Sequence, residues 1–291
     1  MTTPPARGID WTRIGGVAIS PTLSVRRVGF GGAWLTGPGT YGPPPDLDVA
    51  RGIVRRAVES GIQLIDTADC YGPETSELLI AEALYPYPPD VVITTKGGRL
   101  TLGDNKWQAC GRPDHLIAAC EGSLRRLRLD AIELYQLDQI DPDVPVEESL
   151  GALVELREAG KIRHIGLCNV NAAELRQCQA VTPIASVQDR YDLLNRANDA
   201  VVDVCEIDGV AFLPWGPPAN DLAAPPGSAL ARAASEQRAR PGQVALAWLL
   251  ARSPNIVPLP GTTDPHWFEE DLAAFELDLT DAQVEQLTAG G

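Results

Sequence analysis

The sequence predicts an α/β fold, a (β/α)8 TIM barrel. Short runs rich in β-branched residues alternate with longer amphipathic stretches along the chain. Eight such runs spread over about 250 residues match the usual size of a (β/α)8 barrel. A doubly wound sheet also alternates, but it opens on a glycine-rich strand-to-helix turn. Gly29-Phe30-Gly31-Gly32-Ala33 is not followed by the helix that such a fingerprint must start.

Taken in order, residues 27–32 read as the first strand and 47–60 as the first helix, ended by Gly61 as a C′ glycine. The second strand is 62–65 and its helix 74–84; the third is 91–95, followed by a polar loop and a helix over 113–129. Residues 131–137 form the fourth strand and 146–159 its helix, ended by Gly160. Strands five to eight fall at 162–167, 184–187, 210–213 and 255–259, with helices at 172–179, 197–206 and 241–251. Two longer inserts, 99–112 and 216–227, follow the third and seventh strands, on the face where barrels keep their substrate contacts. The whole chain, 1–291, reads as one barrel domain.

Composition narrows the function. With 39 acidic against 24 basic residues the formal charge is −15, which argues against nucleic acid or an anionic membrane as partner. No apolar run approaches the roughly 18 residues of a membrane span. The first ten residues have no apolar signal region, and a cytoplasmic location is expected. The six cysteines form no CxxC pair, and none of the three histidines makes a metal-ligand pattern with one; reduced thiols and no metal are expected.

In a barrel enzyme the reacting groups sit where strands end at the C-terminal face. Asp66, Lys96 and Asp138 stand at or just past the ends of strands two, three and four, and Tyr71 lies far enough beyond Asp66 to turn back over the mouth. Buried together, Asp66 and Lys96 would pair, and the ammonium would lower the pKa of the Tyr71 phenol, making it a proton donor for carbonyl reduction. Singly, each residue has a plainer reading, the aspartate as a helix cap and the lysine as a snorkelling side chain. Together, Ile65-Asp66-Thr67-Ala68-Asp69-Cys70-Tyr71-Gly72, Ile93-Thr94-Thr95-Lys96-Gly97-Gly98 and Ile132-Glu133-Leu134-Tyr135-Gln136-Leu137 resemble, in order and spacing, the aldo-keto reductase family. That resemblance implies a catalytic set of Asp66, Tyr71, Lys96 and a histidine, whose place is taken here by Asp138. It also implies that residues 1–25 form a hairpin and tail closing the barrel floor.

The resemblance covers nearly the whole chain and implies a nicotinamide site. Gly160-Lys161-Ile162-Arg163-His164-Ile165-Gly166-Leu167-Cys168-Asn169 resembles the family's GKIRxIGxSN run, placing Cys168 and Asn169 on the carboxamide, with Gln188 as the next contact and Trp215 stacked on the ring. Trp215 also reads as a barrel-core aromatic. Residues 259–271 resemble the segment that grips the adenosine phosphates, through Gly261, Thr262, Thr263, Glu270 and Asp271. No Lys or Arg lies in this segment, Asp264 adds a negative charge, and Asp271 replaces the usual asparagine, so a 2′-phosphate would meet carboxylates. Asp264 reads equally well as a helix N-cap, and the helix N-terminus could still offer N–H groups to phosphate. NADPH, NADH or no cofactor all stay open.

An ionised Asp138 would raise the phenol's pKa and repel a developing alkoxide; a protonated one would be a second acid. In the family, an acid at this position goes with reduction of a C=C bond conjugated to a carbonyl. The leading reading is therefore a nicotinamide-dependent oxidoreductase acting on a small carbonyl or enone. The alternative is a non-redox dehydratase, isomerase or cyclase using Tyr71 and Asp138 in acid–base chemistry, and a non-catalytic accessory subunit is a third option. Trp34, Tyr41 and Trp107 line the pocket mouth or cap the core; at the mouth they imply an apolar or aromatic substrate body. With no long loop after Leu287, an open cleft is expected, while oligomeric state is not legible.

Overall fold

A computed structural model describes residues 9–103, 106–216 and 222–290. The chain opens with α1 (Trp11–Ile14) and an antiparallel hairpin, β1 (Gly16–Ser20) and β2 (Leu23–Arg26). Seven parallel strands follow. β3 (Gly29–Gly31) leads to α2 (Leu47–Glu59), and β4 (Leu64–Asp66) to α3 (Thr75–Leu84). After β5 (Val92–Gly97), a second antiparallel hairpin, β6 (Arg99–Gly103) and β7 (Lys106–Ala109), precedes α4 (Pro113–Leu127). β8 (Ile132–Leu137), α5 (Val146–Glu158), β9 (Ile162–Cys168), α6 (Ala172–Val181), β10 (Ser186–Arg190), α7 (Asp199–Asp208) and β11 (Ala211–Trp215) continue the alternation. The chain ends with α8 (Ala229–Gln237), α9 (Pro241–Arg252), α10 (Pro265–Ala274) and α11 (Asp281–Gly290).

The strands pair in the order β3-β4-β5-β8-β9-β10-β11, a parallel sheet rolled into a barrel. The eighth strand expected over 255–259 is not regular. It closes the barrel through Val257 N to Phe212 O on one side, and through Gly29 N to Pro258 O and Gly31 N to Pro260 O on the other. Pro258 and Pro260 have no N–H to give, so this segment accepts from β3 without completing a ladder. The polar loop expected after the third strand is also corrected. Alternating exposed and half-buried residues over Arg99–Gly103 and Lys106–Ala109 form the β6–β7 hairpin instead.

The barrel interior is built in layers of opposite polarity. Leu64, Val92, Leu134, Ala211, Leu213, Val257 and Leu259 fill its lower part, and Val17, Ile19 and Val25 of the β1–β2 hairpin cover them from below. Two residues further along the same strands, the inward positions turn polar: Asp66 after Leu64, Gln136 after Leu134, and Lys96 beyond Thr94 on β5. Because successive side chains alternate faces, that change along one parity sets a dry floor under a polar mouth.

Candidate active site

Lys96 is the centre of the mouth. Its ammonium donates to Asp66 Oδ2 at 2.6 Å, to the Thr67 carbonyl at 2.8 Å and to the Tyr71 hydroxyl oxygen at 3.3 Å. Asp66 is buried and also accepts from Gln188 at 2.8 Å and Gln136 at 3.0 Å, so its carboxylate is saturated by donors. Burial works against the charge on Lys96, yet Asp66 first, and Tyr71, Cys168 and Asp138 with it, together outweigh burial and raise the lysine pKa. An ammonium has only donors, so the phenol oxygen must accept from Lys96, and the phenol proton is left for another partner.

The expected lowering of the Tyr71 pKa is corrected here. Lys96 does pull the phenol down, but burial outweighs it, and the charges of Asp66 and Asp138 add to the rise. Tyr71 therefore lies above the ordinary phenol range and holds its proton across physiological pH.

Asp138 stands at the end of β8 with 3% of its surface exposed. Its backbone is fixed on both sides, N–H to Gly97 O at 2.9 Å and C=O accepting from Asn169 Nδ2 at 2.9 Å. One carboxylate oxygen accepts from the Cys70 thiol at 3.5 Å; the other faces Arg99 Nε at 3.7 Å. Neither Arg99 nor Gln136 was expected to take part. Gln136 shares the parity of Leu134 and Asp138, which is the signal that could have found it; it joins Asp66, Thr94 and Cys168 across three strands. A Cβ at Gly166 would lie 2.8 Å from the Gln136 side chain, so the glycine makes room for it.

The other expected residues divide into two groups. Asn169, in the left-handed region at φ 57°, spends its N–H on Asp138, and Gln188 spends its own on Asp66, which leaves amide oxygens to accept from a ligand carboxamide. Trp215 ends β11 with 39% exposure, an open indole face rather than a core aromatic. Cys168 is instead turned onto Gln136, at 3.6 Å. Trp34 and Tyr41 are exposed, and Trp34 lies against Gly261; Tyr41 bridges to Gly72 beside Tyr71, and Trp107 lies under the Arg99 guanidinium at 5.9 Å. These three aromatics do not cap the core. Of the insert over 216–227, residues 217–221 lie outside the described residues, as do 104 and 105 of the first insert and 1–8 of the expected N-terminal tail.

At the α10 end, Asp264 is the N-cap, accepting from His266 N at 2.8 Å and Trp267 N at 3.4 Å. Those N–H groups are thereby spent on the protein, and Thr262 Oγ1 takes the Asp264 N–H. Arg240, at the start of α9, lies 4.1 Å over the Trp267 ring. Gln243 secures that approach, accepting from Arg240 N and donating to Glu270 O, both at 2.9 Å. Glu269 is paired with Arg56 at 2.6 Å. Asp271 is buried with Oδ1 lacking a partner, and burial, then the Glu270 charge, pushes it up to about 7. An orphaned acceptor one helical turn beyond the Trp267 indole fits the adenosine end of a dinucleotide.

The model of the aldo/keto reductase family matches residues 27–290. The chain belongs to the aldo/keto reductase family. It is accordingly an NAD(P)-dependent oxidoreductase of that type, and the non-redox alternative is not favoured. Among its relatives, an oxidoreductase of Schizosaccharomyces pombe is 37% identical over 99% of this chain and 94% of its own length. Pyridoxine 4-dehydrogenase of Escherichia coli is 38% identical over 91% of this chain and 95% of its own. A thermostable aldo-keto reductase solved with the inhibitor epalrestat superposes with a TM-score of 0.83 at 26% identity, over 95% of this chain and all of that one. No helix among the described residues is long and apolar enough to cross a membrane.

Proposed function

We propose that this aldo/keto reductase catalyses the reversible, NADPH-dependent reduction of an aldehyde on a small planar aromatic body. The observation that carries the chemistry is the buried Asp66–Lys96–Tyr71 chain, in which the ammonium donates to the phenol oxygen at 3.3 Å. The chemistry a nicotinamide would supply when bound there is hydride for the carbonyl carbon. Tyr71 gives its proton to the carbonyl oxygen, and the phenolate so formed is stabilised by Lys96 until it regains a proton from water. Asp66, saturated by three donors, keeps that ammonium charged and aimed. Asn169, Gln188 and Trp215 would hold the nicotinamide, and Gly261, Thr262, Thr263, Glu270 and Asp271 the adenosine end.

The preference for NADPH rests on Arg240, which offers a planar cation to a 2′-phosphate where the 259–271 segment has none. The substrate class rests on Trp34, Tyr41 and Trp107 at the mouth, together with the likeness to a pyridoxine dehydrogenase. Enone reduction through a neutral Asp138 is less well supported, because the Arg99 guanidinium at 3.7 Å is the countercharge of a carboxylate. The test is NADPH consumption with pyridoxal, substituted benzaldehydes and cyclic enones, beside calorimetric titration of NADPH and NADH. Aldehyde turnover with NADPH is expected. Turnover of enones alone would transfer the role to Asp138 as acid, and no binding of either cofactor at millimolar concentration would refute the redox reading.

A further inference from the structure

The mouth holds a second buried cation that the Tyr71 chain does not use. Gly97 and Gly98 deliver it. A Cβ at Gly97 would meet the Tyr135 hydroxyl at 2.1 Å, and Gly98 has φ 109°, so only glycines let the chain turn from β5 into β6 here. That turn brings Arg99 over Asp138. The Arg99 side chain is four-fifths buried, and its cation is felt at Cys70 as well as at Asp138. Yet Nε has no hydrogen-bond partner. At 3.7 Å, Asp138 Oδ1 is a charge contact and too far for a hydrogen bond. A largely buried guanidinium among Asp138, Cys70 and Tyr71 thus has an N–H unspent, and the carboxylate that anchors it stands where the family resemblance implies a histidine.

We propose that Arg99 is the electrophilic donor of this reductase, giving a hydrogen bond to the substrate carbonyl oxygen while Asp138 holds its guanidinium in place. Arg99 keeps all its protons through the reaction; hydride adds to carbon, the Tyr71 proton adds to oxygen, and the guanidinium stabilises the negative charge that gathers on oxygen between the two events. Arginine suits the task because it stays charged at any working pH and presents several donors in a fixed plane. Asp138 is then a positioning residue and not an acid. This assignment rests on the reductase reading above and adds to it the group that polarises the carbonyl.

The test uses the full-length protein with NADPH and the best aldehyde of the panel. Arg99→Ala should lower kcat by about 10²–10³, the usual loss of one such donor, with the NADPH dissociation constant unchanged; because Asp138 loses its countercharge the melting temperature also falls, so kcat is counted on folded, cofactor-loaded protein. Adding Asp138→His to that variant should restore at least about tenfold, because an imidazole can then donate in place of the guanidinium. The proposal is overturned if folded Arg99→Ala keeps kcat within about threefold, if its loss is accompanied by weaker cofactor binding, or if Asp138→His relieves none of it. Wild-type protein that binds NADPH but turns over no carbonyl would instead refute the reductase reading itself, so the two failures are distinct.

Discussion

Replacing Lys96 by methionine keeps the length of the side chain and removes the cation that touches Tyr71. At the observed 3.3 Å, and with an effective dielectric of about 20, an ammonium and a full phenolate would attract by about 5 kcal/mol. Only part of that charge has developed in the transition state. If half has, Lys96→Met loses about 2.5 kcal/mol of stabilisation, or roughly a hundredfold in kcat. The same change leaves Asp66 buried with Gln136 and Gln188 but no cation, which costs about 3–5 kcal/mol of folding stability. Thermal melting and NADPH titration of the variant must therefore come first, so that kcat is counted on folded, cofactor-loaded protein. Single-turnover reduction then reads the chemical step. A folded Lys96→Met that binds NADPH and keeps kcat within about threefold would show that the ammonium does not serve the phenol, and would refute the proton-donor assignment.

Because burial holds Tyr71 above the ordinary phenol range, the rate of aldehyde reduction should stay level from neutral to mildly alkaline pH; a pH–rate profile falling near neutrality would refute this. Arg240→Ala should weaken NADPH by about 10–100-fold, the worth of a charge-assisted phosphate contact, and leave NADH within about twofold in fluorescence titrations. An equal loss for both would reduce Arg240 to a cover for Trp267. Asp271, raised to about 7 by burial, is a carboxyl whose charged form is disfavoured in the fold. Stability is therefore lost as pH climbs from the ordinary carboxylate range towards 7, and the full penalty applies above it. Asp271→Asn should accordingly raise the stability by on the order of 1–4 kcal/mol near pH 8 and change it little near pH 4, as denaturant melts at the two pH values would reveal.

Residues whose role follows from strand periodicity were legible before any coordinates. Asp66, Lys96 and Asp138 all sit at strand ends, and parity alone brings them to one mouth. Gln136 obeys the same parity but was hidden inside an apolar run, where a lone polar residue attracts no notice. The eighth strand was legible as a barrel segment and misjudged as a regular one, since Pro258 and Pro260 leave its ladder without donors. What periodicity does not carry is contact between elements. Arg240 reaches Trp267 because α9 and α10 pack side by side, although the two residues are distant in the chain. Arg99 reaches Asp138 through a glycine turn into a hairpin, in a stretch whose composition suggested only a loop. The second omission had a consequence: Asp138 looked unanswered, whereas Arg99 faces it at 3.7 Å.

Charge at the mouth argues the same point. The family resemblance implies a paired aspartate and lysine beside an imidazole, which when neutral leaves the group with no net charge. Here Asp66 and Asp138 face Lys96 and Arg99, again two signs in balance, so the loss of histidine does not leave a stranded anion next to the phenol. Arg99→Ala breaks that balance in two ways. It removes a donor to the carbonyl oxygen, and it leaves Asp138 as an uncompensated charge that makes Tyr71 hold its proton more tightly. Asp138→Asn in the same background separates them, because it removes the anion without restoring the donor. If charge balance is the whole of Arg99's contribution, the double variant regains wild-type kcat. If Arg99 also donates to the substrate, kcat stays at least about tenfold below wild type however the charges are balanced.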